Sequence, residues 1–120
     1  MKNCLVVDHS PALRTVARRI LEEMQYQVSE SGDGMAALAA CRQAMPDLIF
    51  LDWNLPHMRG VEFVKTLRSL PAGSRPRVLF CTTELDKGEI AAAIAAGANE
   101  FILKPFDRGQ IRTKLAALAA

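Results

Sequence analysis

The sequence has no apolar run long enough to cross a bilayer, and Lys2 is not followed by the apolar core and cleavage site of a signal peptide. A soluble cytoplasmic protein is therefore expected. A charge excess is missing too. There are 15 Lys+Arg against 13 Asp+Glu, a formal net charge of +2. That is too little to hold nucleic acid or a membrane surface by bulk charge. Cysteine is scarce: Cys4, Cys41 and Cys81 are an odd three with no CxxC spacing, each inside an apolar stretch. Buried reduced thiols are expected rather than disulfides or zinc ligands. No internal repeat and no linker divides the chain. What is present is half hydrophobic and 23% charged, a globular composition. A chain of 120 residues is one domain's worth and can bury roughly two-thirds of its unfolded surface. A single domain over 1–120 is expected.

Short apolar runs alternate with amphipathic stretches. Residues 4–7, 26–30, 48–51, 78–81 and 101–103 read as strands. The first helix starts at Pro11 under a Ser10 cap, with Leu13, Val16, Ala17, Ile20, Leu21 and Met24 at helical spacing. Arg14, Arg18, Arg19 and Glu22 take its other face. Further helices are predicted over 34–45, 60–70 and 86–96. A last one follows an Asp107 cap, carries Ile111, Leu115 and Leu118, and takes in the Ala-rich 116–120. Gly97 suits the end of the fourth helix. Continuous apolar strands are buried on both faces, which implies a mostly parallel sheet covered by helices, an α/β fold. The alternation alone leaves the strand order open.

In an open α/β sheet the working crevice lies beyond the carboxyl ends of the strands. The polar residues at those ends are Asp8 and His9, Asp52, Thr82 and Lys104. Two carboxylates, a hydroxyl and an ammonium on one edge fit chemistry on a phosphoryl group. A carboxylate can attack phosphorus, a divalent cation held by acids can neutralise its oxygens, and Lys and Thr can hold the transferred group.

The stretches Leu5-Val6-Val7-Asp8, Asp33-Gly34-Met35-Ala36-Ala37-Leu38, Pro46-Asp47-Leu48-Ile49-Phe50-Leu51-Asp52-Trp53-Asn54-Leu55-Pro56, Cys81-Thr82-Thr83-Glu84 and Gly97-Ala98-Asn99-Glu100-Phe101-Ile102-Leu103-Lys104-Pro105-Phe106 span nearly the whole chain. Together they resemble the receiver domain of bacterial two-component response regulators, most of all the free-standing chemotaxis-type members. The resemblance implies a flavodoxin-like (βα)5 fold with strand order 2-1-3-4-5. It implies that Asp52 accepts a phosphoryl group from a sensor histidine kinase or a phosphotransfer protein. Asp8, Asp52 and the backbone carbonyl of Asn54 would hold Mg²⁺. Thr82 would reorient toward the phosphoryl group, Lys104 would pair with it, and Phe101 would be the switch aromatic. The domain would catalyse its own phosphorylation and dephosphorylation without being an enzyme in the usual sense. The Lys104-Pro105 peptide is expected to be cis by the same analogy. No output domain is expected after the last helix, so the expected output is a changed surface of fourth helix, fifth strand and fifth helix, read by a downstream protein. Nucleic acid and membrane insertion are not expected.

Two departures stand out. His9 occupies the place of the family's second acid. Mg²⁺ is hard and prefers oxygen, whereas imidazole suits transition metals, so weaker Mg²⁺ binding is expected. The part of His9 stays open: a metal-site residue, a cation standing in for the metal, or a loop residue in solvent. Loss of phosphorylation altogether, leaving an interaction module that senses a phosphate-bearing small ligand, is the alternative function. His57-Met58-Arg59 is more basic than the family's pattern, which fits a phosphate-bearing ligand, an acidic partner or a solvated loop. A flavin carrier shares the topology, but the first loop lacks a Ser/Thr/Gly-rich phosphate cradle.

Overall fold

The computed structural model describes residues 1–83 and 87–119. Its elements run β1 (Asn3–Val7), α1 (Pro11–Glu23), β2 (Gln27–Ser31), α2 (Gly34–Gln43), β3 (Leu48–Asp52), α3 (Gly60–Ser69), β4 (Arg77–Thr83), α4 (Lys87–Ala96), β5 (Glu100–Lys104) and α5 (Arg108–Ala119). The strands form one sheet in the order β2-β1-β3-β4-β5, with every neighbouring pair parallel. The order implied by the family resemblance is the observed one.

Period-two alternation divides the core into two layers. Val7, Ile49, Leu51, Val78 and Phe80 pack with Leu38, Phe63, Val64, Leu67 and Ala93 of α2, α3 and α4. Cys4, Val6, Phe50, Leu79, Cys81 and Ile102 pack on the opposite side with Ile20, Leu21, Ile111 and Leu115 of α1 and α5. All three cysteines are buried free thiols.

The helix ends follow their expected caps. Ser10 Oγ accepts from Leu13 N at 3.2 Å, with Pro11 in the first turn. Asp107 Oδ1 accepts from Gln110 N, and Gln110 Oε1 accepts in return from Asp107 N, both at 2.8 Å, a reciprocal cap. Gly97 has φ +123°, and Ala98 N reaches back to Ala93 O, so a residue without Cβ closes α4. The Lys104-Pro105 bond is cis.

Some boundaries differ from the sequence reading. β2 starts one residue later than expected, because Tyr26 N still bonds to Leu21 O as the chain leaves α1. α2 stops at Gln43, since Ala44 is already extended two residues before Pro46. Val16 is 47% exposed rather than inward. Arg14 and Arg18 are not simply solvated: both reach Glu30 of β2, at 3.0 and 2.6 Å. Within the described residues α4 begins at Lys87. Its expected start at Asp86, Glu84 of the fourth motif and Ala120 lie outside them.

Candidate functional site

Asp8, Asp52 and Lys104 continue the alternation of Val6, Phe50 and Ile102, so all three fall on the α1/α5 side of the sheet at its carboxyl edge. The structure brings them together. Lys104 Nζ lies 3.0 Å from Asp8 Oδ2 and 2.8 Å from Asp52 Oδ1. Asp8 and Asp52 are both buried. Asp8 is fixed from two further directions: its Oδ1 accepts from Ser10 N at 2.9 Å, and Arg14 Nη1 donates to its carbonyl at 2.6 Å. Asp52 Oδ1 is close to the ammonium but has no hydrogen-bond donor aligned on it among the described residues.

Electrostatics follow from this packing. Burial pushes the Asp52 carboxyl above its ordinary value; Lys104 pulls it down, and the Asp8 charge pushes it up. For Lys104, burial works against the cation, but contacts with Asp52 and Asp8 outweigh it and hold the ammonium above its ordinary value. The lysine stays charged between two carboxylates. Beneath them lies Cys81, the register partner of Asp52. Burial pushes its thiol up to about 12, so it is an inert floor and not a nucleophile.

Thr82 is buried inside β4 rather than after it, two residues past Phe80 on the α3/α4 side. Its Oγ1 is 3.5 Å from Thr83 O, at the limit of hydrogen bonding. Phe101 is the register partner of Phe80 and packs partly buried on that same side. Thr82 and Phe101 therefore sit diagonally on one face of β4 and β5. Lys114 Nζ of α5 lies 4.6 Å from the Phe101 ring centroid and 3.3 Å from Glu100 Oε1.

His9 is exposed while Asp8 is buried. No group of three or more His, Cys, Asp or Glu side chains is placed to hold a metal among the described residues. The structure thus supplies two carboxylates and leaves the imidazole outside. Asn54 is exposed and Trp53 half-buried beside Asp52. Two features escaped the sequence reading. Arg14 braces the Asp8 carbonyl, and Arg59 stacks on Trp53, 5.4 Å from the ring centroid, while pairing with Glu89 of α4. Neither has a periodic signal, because each joins elements far apart in sequence.

A parallel five-stranded sheet in this order, with helices on both faces and an acid–lysine–acid cluster at its carboxyl edge, is a CheY-like flavodoxin fold. The model of the response regulator receiver domain family matches residues 4–116. The chain belongs to that family, which places it in two-component signalling. It is 30% identical over 112 residues to chemotaxis protein CheY-3 of Vibrio cholerae serotype O1, covering 92% of this chain and 86% of that one. The structure of chemotaxis response regulator CheY4 of Vibrio cholerae superposes with a TM-score of 0.92 at 32% identity, covering 98% of each chain. The receiver domain of sensor histidine kinase PA1611 from Pseudomonas aeruginosa, with a magnesium ion coordinated in its active-site cleft, gives a TM-score of 0.88 at 26% identity, covering 97% of this chain and 95% of that one.

Proposed function

We propose that this receiver takes a phosphoryl group on Asp52 from a histidine kinase or phosphotransfer protein in the cytoplasm and passes the signal to a downstream protein. The observation that carries the reading is the Lys104 ammonium held between the buried carboxylates of Asp8 and Asp52. In the forward step a carboxylate oxygen of Asp52 attacks the phosphorus of a phosphoimidazole. The P–O bond forms as the P–N bond breaks, and the imidazole nitrogen keeps the electron pair and takes a proton. In the discharge step water attacks phosphorus, the acyl P–O pair returns to Asp52, and orthophosphate leaves. Lys104 can transfer its contact from carboxylate to phosphoryl oxygens and so offset the added charge.

Asp8, Asp52 and the Asn54 carbonyl would hold Mg²⁺. All are hard oxygen donors, and the buried Asp52 Oδ1, 2.8 Å from the Lys104 ammonium, has no hydrogen-bond donor aligned on it among the described residues. When bound, the ion supplies positive charge to the transferred oxygens. His9 adds no carboxylate to the set, which supports weaker binding than two consecutive acids would give.

The output rests on Thr82 and Phe101. The Thr82 hydroxyl, only loosely bonded, turns toward the new oxygens, and Phe101 moves into the space behind it. The α4-β5-α5 surface then differs between states, and a partner that prefers one state stabilises it. A concavity of about 500 Å³ lined by Phe101, Leu103, Gln110, Thr113 and Lys114 lies on that surface. Incubation with acetyl phosphate and Mg²⁺, followed by intact mass, should show one added phosphoryl group, absent in Asp52→Ala. An unlabelled wild type would leave a phosphorylation-independent interaction module as the reading.

A further inference from the structure

Asp8 lies one residue past β1, and the register of β1 with both neighbouring strands ends at Val7. Its backbone is pinned all the same. Asp8 N donates to Ser31 O at 3.2 Å, and Asp8 O accepts from Arg14 Nη1 at 2.6 Å. Peptide units are planar, so a pinned N–H and a pinned C=O fix the planes on both sides of the Asp8 Cα. The direction of its Cα–Cβ bond follows. Ser10 N, on Oδ1 at 2.9 Å, then sets the turn of the carboxylate.

Arg14 is itself aimed. Its Nε donates to Glu30 Oε1 at 3.0 Å, while Arg18 Nε donates to Glu30 Oε2 at 2.6 Å. Each Glu30 oxygen thus has its own arginine. Glu30 stands opposite Val6 in the edge strand β2. The Arg14 side chain is 19% exposed against 35% for Arg18, so the contacts on the Asp8 side are the sheltered ones. Without Glu30 the Arg14 guanidinium would keep its bond to Asp8 O but lose the second point that fixes its plane. Mg²⁺ demands near-octahedral geometry. With His9 exposed, Asp8 is the one carboxylate that the loop from β1 to α1 supplies, so its placement matters more.

We propose that Arg14 and Glu30 are positioning residues for the metal site. Glu30 aims Arg14 at the Asp8 carbonyl, and the pair thereby holds the Asp8 carboxylate where Mg²⁺ needs it. This rests on Asp8 being a Mg²⁺ ligand, and it makes an edge-strand glutamate that touches no ligand a determinant of metal affinity.

The test is Mg²⁺ titration followed by Trp53 emission in 1 M KCl, where the screening length is about 3 Å. Arg14→Met should weaken Mg²⁺ binding by about tenfold, the low end for lost support of a ligand. Loss of a positive charge would by itself favour a cation, so weaker binding has the sign of geometry and not of charge. Glu30→Ala should weaken binding too, and the double variant should match Arg14→Met, because Glu30 acts through Arg14. Circular dichroism checks folding; should Arg14→Met fail to fold, Glu30→Ala decides alone. Unchanged or tighter binding in the folded variants overturns the positioning role and leaves Asp8 as a ligand, as does a Glu30→Ala effect that adds in full to that of Arg14→Met. A wild type without saturable binding, or with binding that survives Asp8→Asn, takes down both.

Discussion

Lys104 Nζ stands 2.8 Å from Asp52 Oδ1, and the same ammonium is 3.0 Å from Asp8 Oδ2. One positive charge thus serves two buried negative ones, so the cluster carries a net negative charge before any ligand arrives. It is built for an added cation or for an oxygen-rich group that lets the lysine change partners, and its stability must depend on pH.

Asp52 titrates above its ordinary value of 3.8, chiefly through burial. Its neutral form favours the fold. That contribution is fully present below the unfolded value and is lost as pH rises through the folded one. Asp52→Asn should therefore stabilise the protein at pH 7, by about 1 kcal/mol. The gain in melting temperature should shrink as pH falls toward the ordinary carboxyl range. Thermal melts from pH 4 to 8 check both.

Lys104→Met removes the shared cation and leaves two carboxylates facing each other. The expected loss is about 3 kcal/mol at pH 7, partly recovered in acid. Adding Asp52→Asn should rescue much of it, a non-additive result that denaturant titration of the two single variants and the double would show.

Arg68 ties the opposite end of the sheet. Its guanidinium donates to Gly97 O at 2.7 and 3.1 Å, Gly73 O and Pro76 O at 2.8 Å, and Asn99 Oδ1 at 3.1 Å. Arg68→Met should cost about 2–3 kcal/mol by leaving part-buried carbonyls unpaired. Arg68→Lys should recover only part, since an ammonium lacks the fork. Phosphoryl uptake should survive both, because none of these contacts reaches the carboxyl edge.

Ala72 has φ 61° and is exposed. A left-handed conformation costs a Cβ-bearing residue more than glycine. Ala72→Gly should raise stability by up to about 1 kcal/mol, read as a shift in denaturant midpoint with an unchanged slope.

His9→Asp restores a second acid beside Asp8. Mg²⁺ titration followed by Trp53 emission should show tighter binding than wild type, by about tenfold, one carboxylate's scale in a hard-cation site. Equal affinities would mean the imidazole position takes no part in holding the ion.

The fold was legible because apolar strands and amphipathic helices carry period and caps along the chain. Ser10, Asp107 and Gly97 marked ends that the structure keeps. β2 was the hardest strand: Gln-Val-Ser-Glu-Ser at a sheet edge has little apolar alternation, and its start was fixed by the Tyr26–Leu21 backbone bond. At the site, the convergence of Asp8, Asp52 and Lys104 could be anticipated from strand ends; Thr82, expected after the fourth strand, lies inside β4 on the α3/α4 side. The Arg14–Asp8 and Arg59–Glu89 links could not, since they depend on which loops the topology lays side by side. Nor could the sequence decide where His9 faces; the structure turns it outward.

The most direct measurement is the position of the phosphoryl bond. After treatment with acetyl phosphate and Mg²⁺, borohydride reduces an aspartyl phosphate to homoserine, which tandem mass spectrometry locates. Homoserine at position 52 is the expected result, with none in an Asp52→Asn control treated alike and at most a trace in Lys104→Ala. Homoserine at position 8, or at no position in the wild type, would contradict it.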